Sequence, residues 1–223
     1  MIEMSEFNEQ KKIVLDAAKK FIKEGLTVGT SGNISLRTGK KATTMAITPS
    51  SKDYDAMTLD DIIVVDFSDE QDKYTVLEGK LSPSSETILH SLIYKKRSKI
   101  NAVIHFHPIF STAVGLVSDS IPPILDDQTF FLGGEIPITK EYAVSGSRPL
   151  AMHVADLIAD KNAIIIRNHG AIGIGKTMDF AFEACQLLEK TSKVYLYASM
   201  LGKIKQLDEN AVKNNINLFK SIR

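Results

Sequence analysis

Tryptophan is absent from the 223 residues, cysteine occurs once, and neither sign of charge is in excess, 27 Lys and Arg opposing 27 Asp and Glu. Each absence excludes a class. Cys185 alone cannot close an internal disulfide, which fits a reducing compartment and predicts a cytoplasmic protein. With both signs mixed along the chain there is no basic stripe to follow a phosphate backbone or an anionic lipid surface, so neither nucleic acid nor membrane is an expected partner. No stretch approaches the roughly 18 consecutive apolar residues of a membrane span. The acidic opening Met1-Ile2-Glu3-Met4-Ser5-Glu6 lacks the positive and apolar regions of a secretory signal. What is present is globular in composition, 43% hydrophobic and 24% charged. A chain of this size can bury roughly 70% of its unfolded surface, enough for a full core without cross-links.

Apolar positions Phe7, Val14, Leu15, Ala18, Phe21 and Ile22 recur at helical spacing, and Gly25 stands where a C-cap belongs, so an amphipathic helix opens the chain. Ile34 to Thr48 reads as a hairpin turning at Thr38-Gly39-Lys40, and Ile62 to Phe67 with Tyr74 to Leu77 as a second strand pair. From Ser82 the period becomes helical, with Ser82 as cap, Pro83 at the first helical position and Lys95-Lys96-Arg97 at the end. Ile100 to Phe106, rich in β-branched residues and stopped by Pro108, reads as a central strand. Beyond it the pattern predicts a short helix over Ile109 to Val117 and strand-like pieces at Ile124-Leu125 and Glu135 to Ile138. A helix over Pro149 to Ala159, an apolar strand over Ala163 to Arg167, and helices over Thr177 to Leu201 and Asp208 to Phe219 follow. Helices and strands intermingle without repeat or linker, which predicts one α/β domain over residues 1–223 with a mixed sheet.

The five histidines are unevenly placed. His105 and His107 are two apart on a strand and so share a face, while Ile104 and Phe106 take the other. Such a pair needs no ligand by itself. Both, however, fall at the C-terminal end of an apolar strand, where open α/β sheets place ligands, and so does His169. A catalytic zinc takes about three protein ligands and leaves one position open. Glu86 is a natural fourth group, as ligand or base, although a carboxylate in a first helical turn also complements the helix dipole. His90, one turn further on, is expected to pack beside or steady the site, since a fifth ligand would close it, and His153 to be structural.

Gly29-Thr30-Ser31-Gly32-Asn33 can wrap a phosphate with backbone amides, though a plain tight turn has the same composition. Thr48-Pro49-Ser50-Ser51 and Ser84-Ser85 add two further hydroxyl-bearing turns, which together suit a phosphate monoester held by neutral donors. Gly170-Ala171-Ile172-Gly173-Ile174-Gly175-Lys176-Thr177 matches the nucleotide P-loop pattern letter for letter. A P-loop fold needs further parallel strands beyond it, and the rest of the chain reads as helix. Ile172 and Ile174 alternate with small residues as a strand would, and Lys176 is expected at the surface.

Five of these stretches occur in one order: Gly29-Thr30-Ser31-Gly32-Asn33-Ile34-Ser35, Thr48-Pro49-Ser50, Ser84-Ser85-Glu86, His105-Phe106-His107-Pro108 and Asn168-His169-Gly170. In that order, over roughly residues 7 to 200, the chain resembles the zinc-dependent class II aldolase and adducin family. The resemblance implies a three-layer α/β/α sandwich around a mixed central sheet, assembled as a homotetramer with active sites at subunit interfaces. It implies one Zn2+ per subunit, or another divalent ion in its place, on His105, His107 and His169, with Glu86 as an acid/base that also approaches the metal. Thr30, Gly32, Asn33, Ser50, Ser51, Ser84 and Ser85 would hold the phosphate of a small phosphorylated sugar. The implied activity is cleavage of a ketose 1-phosphate of the fuculose 1-phosphate type, through an enediolate, to glycerone phosphate and a small aldehyde such as lactaldehyde.

Two departures stand out. Ser51 occupies a position that is often Gly in the family, and the segment after Ile121-Pro122-Pro123-Ile124 carries Leu125-Asp126-Asp127 where family enzymes place a tyrosine from a neighbouring subunit. By the resemblance, Asp126 or Asp127 is a candidate to protonate the aldehyde oxygen in place of that tyrosine, and the aldehyde specificity stays open. The same resemblance admits an L-ribulose-5-phosphate 4-epimerase or another sugar-phosphate lyase. A non-catalytic adducin-like module fits less well, because all three histidines are present.

Overall fold

The computed structural model of the chain describes residues 5–38 and 43–222. Helix α1 (Asn8–Lys23) buries Val14, Ala17, Ala18 and Phe21, and ends at Gly25, whose φ of 67° lies in the left-handed region that glycine enters without strain. Strands β1 (Asn33–Arg37), β2 (Thr44–Ile47), β3 (Ile63–Asp66) and β4 (Thr75–Glu78) form a meander. Of the expected Thr38-Gly39-Lys40 turn, Gly39 and Lys40 lie outside the described residues. Helix α2 (Thr87–Lys96), strand β5 (Ala102–Phe106) and helix α3 (Ile109–Val117) follow, then a short pair, β6 (Ser120–Ile121) and β7 (Ile136–Pro137), flanking a π-helical turn at Gln128–Leu132. Helix α4 (Arg148–Ile158), the hairpin β8 (Ala163–Ile166) and β9 (Gly170–Gly175), and helices α5 (Met178–Leu201) and α6 (Glu209–Ile222) complete the order.

The main sheet has seven strands in the order β4-β3-β2-β1-β5-β9-β8. Each ladder is antiparallel, and parallel pairing among the described residues is confined to a bridge between Ile138 and Ile165. Alternation sorts the side chains onto two faces. Ile34, Ile104, Phe106, Ile165 and Ala171 pack with α1, α3 and α5, while Met45, Ile63, Val103, Ile164 and Ile172 pack with α2 and α4. Helices cover both faces, so the α/β class and its three layers are as expected.

Two local expectations are corrected. Ser82-Pro83 does not start α2: Pro83 pairs with Pro49 in an antiparallel bridge and Glu86 caps the helix. A proline that suits a first helical position also suits a bridge that asks for no N–H. Ile124-Leu125 is not a strand, because the Gln128 side chain accepts from both of their amides and donates to the Pro122 and Gly134 carbonyls, closing a turn instead.

The P-loop-like run is β9 and the turn after it. Its glycines serve packing: a Cβ at Gly173 would stand 2.5 Å from Cys185 Sγ, and one at Gly175 2.5 Å from the Ala181 nitrogen, both on α5. Lys176 is exposed. No helix among the described residues is long and apolar enough to cross a membrane.

Candidate active site

Antiparallel pairing sets Asn33 of β1 opposite His105 of β5, and His105 in turn opposite Ile172 of β9. The strands close up because two residues lack a Cβ. A Cβ at Gly32, whose φ is 83°, would meet the His105 carbonyl at 2.6 Å, and one at Gly170 would meet the Phe106 carbonyl at 2.4 Å. Asn168, at φ 59°, makes the left-handed corner that returns the chain from β8 to β9 and delivers His169.

His105, His107 and His169 meet there. Their ring centroids are 4.8, 4.8 and 5.1 Å apart, and one ligand atom from each falls within 4.8 Å of the others. His105 Nδ1 lies 3.0 Å from the Ala171 carbonyl, which can only accept, so the ring proton sits on Nδ1 and Nε2 keeps its lone pair for the cluster. His107 Nε2 lies 2.9 Å from His105 Nε2. A tetrahedral ion bound at about 2.0–2.1 Å spaces its nitrogen ligands by roughly 3.3 Å, so the three rings need only a small adjustment to fit one. Burial holds the His107 ring down at about 4, with His105 and His169 adding to the effect, and lowers His169 through burial and then His105. Both are therefore neutral donors near pH 7.

Glu86 closes the group. Its Oε2 is 3.1 Å from His105 Nε2 and accepts from Asn33 Nδ2 at 2.9 Å. Its Oε1 is 3.6 Å from His169 Nε2 and accepts from the Ser145 hydroxyl at 3.1 Å. Burial pushes its carboxyl upward, but His105, the Asn33 amide, His169 and His90 outweigh that and hold it at about 2, so it is a carboxylate at neutral pH.

The serine turns lie beside this group. Ser50 donates its N–H to the Ser82 carbonyl at 3.0 Å and Ser84 its N–H to the Thr48 carbonyl at 3.2 Å, which joins the two turns. Thr48 Oγ1 accepts from the Ile34 amide at 3.1 Å and ties them to β1. Thr30, Ser50, Ser51 and Ser85 are exposed, as a site for a soluble anion requires. Ser51 has φ 55°, so the backbone keeps a glycine-like conformation with a serine in it. Of the other residues expected at the phosphate, Asn33 turns its amide to Glu86 and His90, and the Ser84 hydroxyl accepts from the Glu86 amide at 3.2 Å, which leaves its own proton available to a ligand.

Asp126 and Asp127 are not brought to the histidines within one chain. Asp126 accepts from Asn215 on α6 and Asp127 pairs with Lys190 on α5. His153 is exposed on α4, away from the cluster. Ser145 escaped the sequence reading altogether. Its one signal is Gly146, whose φ of 73° and approach to Ser85 seat this loop on the serine turn.

The family profile described as Class II Aldolase and Adducin N-terminal domain matches residues 12–196. The chain belongs to the class II aldolase and adducin family. Among its relatives, the 5-deoxy-D-ribulose 1-phosphate aldolase of Bacillus thuringiensis serovar kurstaki is 27% identical over 211 residues, 95% of each chain. The L-fuculose phosphate aldolase of Escherichia coli (strain K12) is 32% identical over 191 residues, 86% of this chain and 84% of that one. The solved structure of an L-fuculose 1-phosphate aldolase superimposes with a TM-score of 0.88 at 29% identity, covering 95% of this chain and 96% of that one. Within the family, this class II aldolase is an aldehyde-lyase of sugar-phosphate metabolism.

Proposed function

We propose that the chain is a zinc-dependent aldolase that cleaves a ketose 1-phosphate to glycerone phosphate and a small aldehyde such as lactaldehyde, acting as a homotetramer with its sites at subunit interfaces. One observation carries this reading: three imidazoles, from the end of β5 and the β8–β9 corner, converge beside a buried carboxylate. His105, His107 and His169 would hold the ion, with Glu86 near it. When bound, the cation supplies Lewis-acid stabilisation of the negative charge that develops at the substrate's carbonyl oxygen. Cleavage breaks the C3–C4 bond, whose electron pair passes to C3; the C4 hydroxyl gives its proton to water as the aldehyde forms, and the Glu86 carboxylate takes a proton from water and passes it to C3, so no net proton is gained or lost. In the reverse direction the Glu86 carboxylate takes that proton. Thr30 and the hydroxyls of Ser50, Ser51, Ser84 and Ser85, with the backbone at Gly32, hold the phosphate through neutral donors. Asn33 holds Glu86. Asp126 and Asp127 enter this scheme only from a neighbouring copy.

The Bacillus thuringiensis relative and the superimposed solved structure are both named as aldolases of ketose 1-phosphates, which supports this substrate class. The test is product analysis with fuculose 1-phosphate, 5-deoxyribulose 1-phosphate and ribulose 5-phosphate. The reading expects glycerone phosphate and an aldehyde from one or both ketose 1-phosphates. Conversion of ribulose 5-phosphate to xylulose 5-phosphate without cleavage of the others would replace it with an epimerase.

A further inference from the structure

A buried line of hydrogen bonds leads away from Glu86 into the layer between the sheet and α2. Asn33 donates its Nδ2 to Glu86 Oε2 at 2.9 Å, and Asn33 Oδ1 lies 2.6 Å from His90 Nε2. On the other side of the ring, His90 Nδ1 lies 2.6 Å from Ser35 Oγ, which is 2.9 Å from the Tyr94 hydroxyl. His90 and Ser35 are 0% exposed. None of these four residues belongs to the histidine cluster or to the serine turns.

The protons in this line can be placed by elimination. A carboxylate only accepts, so the Asn33 atom facing Glu86 is the amide nitrogen and the oxygen faces His90. A carbonyl oxygen only accepts as well, so His90 Nε2 carries a hydrogen. In a neutral ring Nδ1 is then an acceptor, and the Ser35 hydroxyl is the donor that reaches it. Each donor from Ser35 onward points toward Glu86. Had the ring its hydrogen on Nδ1, the Asn33 oxygen would face a bare nitrogen, the amide would turn over, and its oxygen would oppose the carboxylate. An apolar side chain of similar size could fill the space around His90, but it would leave the Asn33 oxygen buried without a donor.

We propose that His90, as the neutral Nε2–H tautomer, is a positioning residue for the lyase reaction: it fixes the Asn33 amide, which in turn aims the Glu86 carboxylate at the reacting carbon. This rests on the proposed function for its catalytic consequence, and not for the tautomer itself.

Long-range proton–nitrogen NMR of the metal-free wild-type protein reads the tautomer directly. A protonated Nε2 with a bare Nδ1 is expected, and the opposite pattern overturns the proposal whatever the enzyme does. Kinetics of two variants supply the second arm. His90→Phe keeps ring volume and loses the donor, so it should retain bound metal and KM while kcat falls about 10- to 100-fold, the usual cost of removing a residue that orients a site group. His90→Gln presents an amide N–H near the Nε2 position and should recover most of that loss. A residue that only packs gives the reverse order, Phe tolerated better than Gln, and that result also overturns the proposal. A wild-type protein with no lyase activity defeats the functional reading as well, and the tautomer spectrum tells the two failures apart.

Discussion

Strands β1 and β5 present two faces that are equally buried and differently made. Ile34, Ile104 and Phe106 lie at 0% exposure among other apolar side chains beneath α1 and α5. The intervening Asn33, Ser35 and His105 are buried as deeply, at 6%, 0% and 1%, yet each has a hydrogen-bond partner that reads direction. Volume constrains the first face and the orientation of donors the second. Burial by itself therefore does not separate core from site in this family member. What separates them is whether a buried atom has a partner that would be left unpaired by its removal.

Four perturbations sharpen this contrast, in falling order of effect. His107→Ala, on the polar face, should abolish stoichiometric metal and lower turnover at least about a thousandfold, since a Lewis acid contributes several kcal/mol. Its circular dichroism and unfolding midpoint in the metal-free state should match wild type. A metal-loaded, active variant would dissolve the distinction between the faces. Glu86→Gln should retain metal while turnover falls about 10^2- to 10^4-fold, and exchange of the C3 proton of glycerone phosphate with solvent should vanish. Unchanged exchange would remove Glu86 from its role. Phe106→Ala, one residue from His105 but on the apolar face, should cost about 3–5 kcal/mol in denaturant unfolding and leave kcat of the folded protein within the same order of magnitude. A variant of full stability and lost turnover would show that the faces are not separable.

The smallest effect is a pH dependence. Burial holds the folded His90 ring at about 3. The unfolded ring titrates near 6.5, so as pH falls below that value the unfolded state binds a proton that the folded state refuses. Stability is thus complete above about pH 6.5 and declines as the solution is acidified toward pH 3. Between pH 7 and 5, metal-free wild type should lose about 2 kcal/mol more than His90→Phe, because the other histidines cancel in the difference. Equal losses would mean that His90 is not held neutral.

Much of this is legible in the sequence, for physical reasons that differ from place to place. The meeting of His105 with His107 follows from the two-residue period of a strand, and the approach of His169 from its place at the end of a second apolar strand. Gly25 marked the end of α1 because a left-handed cap asks for glycine. The P-loop pattern was recognisable as a strand because Ile172 and Ile174 alternate with small residues, although the contact with α5 that demands those glycines is tertiary. Ser82-Pro83 misled because bridge and first helical turn accept the same residues. The Ser145 hydroxyl was invisible, since it reaches Glu86, 59 positions away in sequence, through a loop with no period. The family resemblance places Asn33 at the phosphate, and nothing local to it announces its partners Glu86 and His90, which lie at the cap of and on a helix that sequence places far away. Local spacing is readable, and which distant donor meets which acceptor is not.

The most direct test of the central claim is metal content measured alongside turnover. Purified protein should carry one divalent ion per chain, lose both ion and ketose 1-phosphate cleavage on chelation, and recover both when zinc is restored. Full turnover by protein stripped of metal would contradict the account.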